Sequence, residues 1–243
     1  VITATGFEFG LTVGYGQSIG GESTYRQTDE FGGTGSLNGE MSGPIGIDTD
    51  SSGNIFVVDT NNDRVQKFNG STHAWMQNIG TAGTADNQME EPLDITVLSD
   101  DSMWVADRFN GNQNTGGLMK YDSSGVYVEC INPDSCATQF DLGSTGFATT
   151  VAGLATDSND NIFYSKGHEI FGIDADTYAT IFLEGGSAGS ADGFFDDPKG
   201  VFIDSAENIF IADRDNNRIQ KLEPDGDFLM KFGTPGSGDG QFD

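Results

Sequence analysis

Short apolar runs alternate along the chain with polar, glycine-rich segments. The most uniform runs are "IFVVD" (55–59), "MWVAD" (103–107), "IFYS" (162–165) and "IFIAD" (209–213). An apolar run of this length, bounded by turn residues, is typical of a strand that is buried on both faces. No segment combines the i, i+3, i+4 spacing of an amphipathic helix with end caps. The pattern therefore predicts an all-β chain.

Each apolar run belongs to a longer unit that repeats. The segment "GPIGIDTDSSGNIFVVDTNNDRVQKF" (43–68) aligns with "DPKGVFIDSAENIFIADRDNNRIQKL" (197–222), and weaker copies cover 91–121 and 151–173. The copies can be anchored on equivalent residues, which gives steps of 48, 59 and 47 residues between Gly46, Asp94, Gly153 and Gly200. A fixed period of this size is the signature of a repeat architecture.

Each copy predicts four antiparallel strands. The first strand ("PIGIDTD" or "KGVFIDS") is followed by a tight turn of the "DSSGN" type and then by the buried run. A third strand reads "RVQKF" or "RIQKL", and the fourth is best preserved as "GDFLMKFG" (226–233). Four strands per repeat, with an inner strand buried on both faces, describe a blade of a β-propeller. We predict four such blades and a partial one.

The copies at 43–68 and 197–243 resemble the NHL repeat, in the elements "GIDTD", "NIFVVDTNNDRVQKF", "NIFIADRDNNRIQKL" and "GSGDGQF". The copy at 151–173 departs from that pattern, with Ser165 in place of the family's aspartate. The resemblance covers roughly 31–243, and it implies that Arg64 and Arg218 tie a loop to the blade. NHL propellers serve as scaffolds, partner-binding platforms, RNA binders and peptide-amidating lyases, so the resemblance does not select a function.

The repeats predict blades at about 31–80, 81–133, 134–186 and 187–233, followed by a linker at 234–243. Residues 1–30 are expected to supply the outer strand of an incomplete or closing blade. Because NHL propellers usually have six blades, three arrangements stay open: part of a longer array, a subunit completed by a neighbour, or a small ring that the N-terminal strand closes. An unpaired blade edge is a template for strand addition. We therefore predict a protein partner, or self-assembly through a blade edge into a surface assembly or filament.

The net charge of the chain restricts the classes of partner that it can bind. With 38 acidic and 11 basic residues, the net charge is −27. Such a field repels phosphate backbones and anionic bilayers, which disfavours nucleic-acid binding. No apolar run reaches the ~18 residues of a membrane span, so we predict no membrane insertion. The acidity suits solubility in a salty medium, and it is also compatible with carboxylates that collect calcium.

Candidate calcium ligands recur at alternate positions after two of the buried runs. They are Asp59, Asn61 and Asp63 in one copy and Asp213, Asp215 and Asn217 in the other. Oxygen ligands at this spacing can wrap a calcium ion. The alternative is that these side chains cap backbone groups in the repeat's own turn.

The two cysteines, Cys130 and Cys136, are close in sequence and have no histidine nearby. That spacing is a poor zinc signature, and it favours a local disulfide over two free thiols. A disulfide would place the protein in an oxidising compartment, outside the cell or on its surface.

Candidates for catalysis are few. The chain has only two histidines, His73 and His168, whereas the amidating lyases of this family bind zinc through several, and neither histidine has a nearby Ser or Cys in a nucleophile-elbow setting such as G-x-S-x-G. We therefore predict a non-catalytic extracellular binding or structural propeller, with no cofactor other than possible Ca²⁺. Two alternatives stay open. One is a calcium-dependent, lactonase-like hydrolase with ligands from separate blades. The other is a sugar- or peptide-binding receptor head, with Tyr15, Tyr25, Trp75 and Phe109 as candidate contacts if they are exposed in loops.

Overall fold

The computed structural model describes residues 30–83, 85, 87–108, 117–131 and 151–243. These residues form four four-stranded antiparallel sheets, in which successive strands of the chain are neighbours. The predicted all-β propeller is confirmed. The strand that we predicted within residues 1–30 lies outside the described residues, except for Glu30.

Among the described residues, three short two-stranded parallel sheets precede or follow the four-stranded sheets along the chain. Before and within the first four-stranded sheet, blade 1, the strands are β1 (Gly33–Thr34), β2 (Glu40–Met41), β3 (Pro44–Thr49), β4 (Ile55–Asp59), β5 (Arg64–Phe68) and β6 (Trp75–Ile79). A parallel pair and blade 2 follow, with β7 (Thr81–Ala82), β8 (Gln88–Met89), β9 (Pro92–Val97), β10 (Met103–Asp107), β11 (Gly117–Tyr121) and β12 (Tyr127–Ile131). Blade 3 consists of β13 (Val151–Thr156), β14 (Ile162–Lys166), β15 (Glu169–Ile173) and β16 (Thr180–Gly185). Blade 4 and a last parallel pair are β17 (Pro198–Ile203), β18 (Ile209–Asp213), β19 (Arg218–Leu222), β20 (Phe228–Phe232), β21 (Thr234–Pro235) and β22 (Gln241–Phe242).

The second strand of each blade is the apolar run of the repeat. In β4, the consecutive residues Phe56, Val57 and Val58 are all buried, although neighbouring side chains of a strand point to opposite faces. The sequence prediction of a strand buried on both faces is thereby confirmed. Each of these strands needs apolar partners on two sides, which only adjacent blades can supply.

Adjacent blades pack face to face, with their first strands side by side in the order β3, β9, β13, β17. We call the face of a blade that points to the preceding blade its leading face, and the opposite one its trailing face. Between blades 1 and 2, Phe56 and Val65 pack in one cluster with Ile95, Met103 and Tyr121. Full burial of an aliphatic or aromatic side chain contributes about 1.5–3 kcal/mol, so these clusters hold the blades together.

The other two interfaces are built in the same way. Trp104 and Leu118 of blade 2 share a cluster with Leu154 and Tyr164 of blade 3. A third cluster joins blade 3 to blade 4 and includes Phe163, Ile170, Val201 and Ile211.

A similar linker leads into blades 1, 2 and 4 and follows blade 4. In each linker the backbone N–H of a glycine donates to the carbonyl oxygen six residues later, as from Gly83 N to Met89 O (3.0 Å) and from Gly236 N to Phe242 O (2.9 Å). The last apolar residue of the linker packs between two blades, and we call it the plug. In the linkers before blades 2 and 4 this residue is Met89 and Phe195, and both are fully buried in the clusters of blades 1–2 and 3–4. The only helices among the described residues are two three-residue 3-10 turns, and neither could cross a bilayer.

Candidate functional site

A buried carboxylate organises the end of β4. Asp59, at the last position of this strand, is fully buried and accepts hydrogen bonds from Arg64 Nε (2.8 Å), Gln66 Nε2 (2.9 Å) and Asn62 Nδ2 (2.9 Å). The same Arg64 also donates from Nη2 to the carbonyl oxygen of Glu40 (2.9 Å), in the linker that precedes the blade. We call Asp59, Asn62, Arg64 and Gln66 the Asp59 cluster.

Blade 4 repeats this arrangement with the corresponding residues. Asp213 accepts from Arg218 Nε (2.6 Å), Gln220 Nε2 (3.1 Å) and Asn216 Nδ2 (3.0 Å). Arg218 continues to the linker and donates to the carbonyl oxygen of Phe194 (2.9 Å). These four residues, Asp213, Asn216, Arg218 and Gln220, are the Asp213 cluster. The expected tie from Arg64 and Arg218 to a loop is confirmed, and both clusters attach a blade to the linker before it.

The six residues predicted as calcium ligands lie around these clusters with separate partners. Asp63 accepts from the backbone N–H of Glu91 (2.9 Å), in the linker to blade 2, and Asp215 pairs with Arg214 Nε (2.8 Å). Asn61 lies near Ser42, while Asn217 ends a 3-10 turn in the left-handed conformation (φ 51°). Among the described residues, no three His, Cys, Asp or Glu side chains are gathered as a metal site. Calcium binding therefore stays a prediction, and Asp59 and Asp213 have structural partners.

Blades 2 and 3 have other residues at the positions of the Asp59 and Asp213 clusters. Asp107 ends β10 as Asp59 ends β4, but Gly117 and Met119 pair in the places that Arg64 and Gln66 take in blade 1. Asp107 accepts from Glu90 N (3.0 Å), and burial raises its pKa to about 8, with the charges of Asp63 and Glu90 adding to the rise. In blade 3, Ser165 accepts from Gly153 N (3.0 Å) and donates to Lys199 O (2.7 Å), so it joins the first strands of blades 3 and 4.

Two carboxylates lie on the first strands. Asp48 Oδ2 accepts from Val97 N (2.7 Å) and Asp94 Oδ2 accepts from Leu154 N (2.8 Å), so each one bonds to the first strand of the next blade. Burial raises the pKa of both, that of Asp94 to about 7, where the negative charge of Asp48 adds to the rise. Asp94 takes the position that is glycine in the other three repeats, and this departure was visible in the sequence.

A serine and an acid connect the hairpins of adjacent blades. Ser51 donates from its backbone N–H (2.7 Å) and its hydroxyl (2.8 Å) to Asp101 in the hairpin of blade 2. Ser99 bonds to Asp160 through the same two groups, and Ser158 N donates to Glu207 (3.4 Å). We call these three contacts the serine–acid clasps. Sequence reasoning missed them, although the acids replace the glycine of the "DSSGN" turn.

The acids of the clasps adopt a left-handed backbone conformation. Asp101, Asp160 and Glu207 have φ values of 65°, 62° and 64°, and Gly53 has 75° at the same place in blade 1. A residue with a Cβ is disfavoured there by roughly 1–2 kcal/mol. The contact with the preceding blade compensates for that cost in three blades, whereas blade 1 has glycine.

Within the described part of the chain, the leading face of blade 1 is uncovered near the axis. Ile47 is 46% exposed, while its equivalents Ile95, Leu154 and Val201 are 2%, 5% and 8% exposed in the three internal interfaces. Ile45 is exposed beside it. Farther out, Met41 and Phe68 pack in a small cluster on the same face.

The trailing face of blade 4 is uncovered as well. Phe232 is 44% exposed and Phe242 is 40% exposed, whereas their equivalents in blade 1 and in the linker after it, Ile79 and Met89, are 1% and 0% exposed under blade 2. Met230 is also exposed. Among the described residues, surfaces that are buried in the internal interfaces are thus open at both ends of the row of blades.

The remaining sequence candidates are only partly described. Cys130 is buried in β12, but Cys136 lies outside the described residues, so the disulfide stays a prediction. Of the aromatic residues considered for a receptor head, Trp75 is partly exposed and donates from Nε1 to Asn78 Oδ1 (3.1 Å). Tyr15, Tyr25 and Phe109 lie outside the described residues.

The sequence comparisons identify the repeat. The model of the NHL repeat matches residues 41–68. The protein brain tumor of Drosophila melanogaster is 38% identical over 56 residues, which are 23% of this chain and 5% of the relative.

Solved structures resemble the fold as a whole. A streptogramin B lyase superposes with a TM-score of 0.58 at 13% identity, over 85% of this chain and 58% of the lyase. A gluconolactonase from Xanthomonas campestris gives a TM-score of 0.56 at 14% identity, over 80% of this chain and 63% of the enzyme. The chain therefore spans less than two thirds of the length of these proteins, and at these identities the likeness concerns the fold alone.

Proposed function

We propose that this chain, which carries an NHL repeat and whose described residues form four propeller blades, is a non-catalytic extracellular module for binding or structure. The observation that carries the proposal is the pair of uncovered blade faces. Ile47 is 46% exposed at a position that is buried in all three internal interfaces, and Phe232 is 44% exposed at the position where Ile79 and Ile131 are buried in the first two. Contiguous exposed apolar surface of this kind marks an interaction site.

The partner that suits these faces is a protein. Each face is an apolar sheet surface whose complement, in the internal interfaces, is another sheet. The net charge of −27 disfavours polyanions such as nucleic acids. An extracellular location is supported by the acidity and by the predicted pairing of Cys130 with Cys136.

The most polar residues of the repeat contribute to its own architecture. In the Asp59 and Asp213 clusters every carboxylate oxygen accepts from Asn, Arg or Gln side chains or from the backbone. A carboxylate engaged in this way has no open position to offer a substrate or a metal. This supports a structural role for the residues that are most regular in sequence.

A calcium-dependent hydrolase is the second candidate. Its support is the placement of Asp48 and Asp94 on adjacent first strands, where both carboxylates lie near the propeller axis. The fold likeness to a gluconolactonase is compatible with this candidate. Against it, one oxygen of each carboxylate already accepts a backbone N–H of the next blade.

Melting curves and lactone hydrolysis separate the two candidates. We expect the melting temperature to be the same in millimolar CaCl₂ and in EDTA, and no turnover of gluconolactone above the rate of a heat-denatured sample. Calcium held at 100 times its Kd would stabilise the fold by about 2.7 kcal/mol, which is several degrees for a domain of this size. Turnover that EDTA abolishes, and that Asp94→Asn also abolishes without loss of folding, would refute the non-catalytic proposal.

A further inference from the structure

The two uncovered faces are complementary halves of one interface. The leading face of blade 1 corresponds to the leading faces of blades 2, 3 and 4, and the trailing face of blade 4 corresponds to those of blades 1, 2 and 3. Each such pair of faces is packed within the chain. A second copy of the chain therefore carries both surfaces that the first copy leaves open.

We propose that the trailing face of blade 4 in one copy binds the leading face of blade 1 in a second copy. The inference rests on the proposed binding role and specifies its partner and its polarity. The contact is heterologous, since different patches of the two copies meet. It therefore generates a closed ring if the rotation closes and an open chain of molecules if it does not.

The internal interfaces indicate which side chains meet. Ile95, the equivalent of Ile47, packs in the same cluster as Val65, Ile79 and the plug Met89. In blade 4 the residues equivalent to these three are Ile219, Phe232 and Phe242. Ile47 of the second copy is therefore expected against Ile219 and Phe232, with Phe242 as the plug between the copies.

This junction lacks the serine–acid clasp. Ser205 takes the position of Ser51, Ser99 and Ser158, but the hairpin of blade 1 has Gly53 where the next blade would need an acid. Gly53 has a φ of 75°, and a Cβ added there meets nothing within 4 Å. The site can thus accept a carboxylate in the conformation that Asp101 and Asp160 already adopt.

Without the clasp, the junction depends mainly on apolar contacts, and the net charge of the chain opposes it. Two copies that each carry −27 repel one another over the Debye length, which falls from about 30 Å at 0.01 M to about 8 Å at 0.15 M salt. We therefore expect association to strengthen as NaCl is raised from 0.02 to 0.5 M.

The polarity is tested by capping one face at a time. Ile47→Asp blocks the leading face and Phe232→Asp blocks the trailing face, and both side chains are exposed, so both variants are expected to fold. In size-exclusion chromatography with light scattering at 0.5 M NaCl, we expect the wild type to form species whose mass rises with concentration. Each variant alone should be monomeric, and an equimolar mixture should give a 1:1 dimer and nothing larger.

A gain-of-function variant tests the register. Gly53→Asp should strengthen association roughly tenfold, as expected for one added hydrogen bond between Ser205 and a carboxylate. Gly193→Asp is the matched control, because Gly193 also has a left-handed φ (81°) and open space, but lies in the linker before blade 4. The control adds the same charge and the same backbone cost, and should not strengthen association.

Three outcomes would overturn the inference. A chain that stays monomeric at high salt, with and without Gly53→Asp, has no such interface. Self-association of the Ile47→Asp variant alone would mean that like faces meet. A monomer in which Met230 resists peroxide oxidation as strongly as the buried Met119 would mean that the chain covers its own face. These readouts do not involve turnover, so they fail or succeed independently of the non-catalytic proposal.

Discussion

Asp59, Asp107 and Asp213 end equivalent strands, but the carboxylates of Asp59 and Asp213 pair with an arginine guanidinium, whereas the guanidinium of Arg108, next to Asp107, pairs with Glu91. The guanidinium groups of Arg64 and Arg218 lie 2.8 and 2.6 Å from the carboxylates they neutralise, and both arginines are largely buried. A buried charge is tolerated when it is paired and hydrogen-bonded, and it is costly when it is alone. Removing one partner of such a pair therefore leaves the other as an uncompensated charge.

Arg218→Ala is expected to lower the free energy of unfolding by about 3–5 kcal/mol, because it leaves Asp213 buried without its cation and frees the linker carbonyls. Arg214→Ala is the control. Arg214 is 54% exposed and pairs with Asp215 and Asp197 at the surface, so its loss should cost about 1 kcal/mol or less. Urea unfolding followed by tryptophan fluorescence measures both. Equal losses for the two variants would show that the Asp213 cluster has no special energetic role.

Asp107 should make stability depend on pH. Burial raises its pKa to about 8, from about 3.8 in the unfolded chain, so the folded form retains a proton that the unfolded form has lost. The resulting stabilisation is complete below about pH 4 and disappears as the pH rises through 8. Asp94, with a pKa raised by burial to about 7, acts in the same direction. The two groups together predict a fall in unfolding free energy between pH 5 and pH 8.

Asp107→Asn tests this origin. The amide oxygen can still accept from Glu90 N, while the variant can no longer ionise. The slope of unfolding free energy against pH should become flatter by up to about 1.4 kcal/mol per pH unit between pH 5 and 8. Asp213→Asn should instead destabilise at all these pH values, since it removes a paired charge. An unchanged slope in Asp107→Asn would place the pH dependence elsewhere.

At the scale of the element, the hairpin between the first two strands has two roles. Asp50, Asp157 and Asp204 each accept backbone N–H bonds within their own turn, as in those from Asn54 N and Asn208 N to the aspartates four residues before them (2.8 and 2.9 Å). The clasp acids, which come three residues later, reach the preceding blade instead. The first role follows from turn chemistry and was expected from sequence. The second depends on how far apart neighbouring blades lie, which local sequence does not contain.

Two substitutions of Asp160 separate the cost of its left-handed backbone conformation from the stabilisation by its contact with Ser99. Asp160→Ala removes the bond to Ser99 but retains a Cβ at a φ of 62°, whereas Asp160→Gly removes the bond and relieves the strain. We expect the alanine variant to be less stable than the glycine variant by about 1–2 kcal/mol. Chemical denaturation measures the difference. Equal stabilities would mean that the left-handed conformation costs little in this hairpin.

At the scale of the whole molecule, the repeat was sufficient to predict the blade but not the exposure of its ends. The apolar runs and the linkers that end in Met41, Met89 and Phe242 are local features, so the four strands of a blade could be predicted from them. Whether Phe232 is covered depends on what lies beyond blade 4, and its sequence context resembles that of Ile79, which is buried. Likewise, the spacing of Asp59, Asn61 and Asp63 is compatible with a metal ion. Their separate partners became evident only when the linker and the next blade were placed around them.

In a row of blades with two uncovered end faces, local stability is expected to decrease from the inner blades to the end blades. Blades 2 and 3 each pack against a neighbouring blade on both faces, whereas blades 1 and 4 each pack against a neighbouring blade on one face only. Opening is therefore expected to start at the ends and move inward, so that backbone amides of β10 and β14 exchange with heavy water last. The end blades, which are expected to open most readily, are also the blades that a neighbouring molecule would stabilise most.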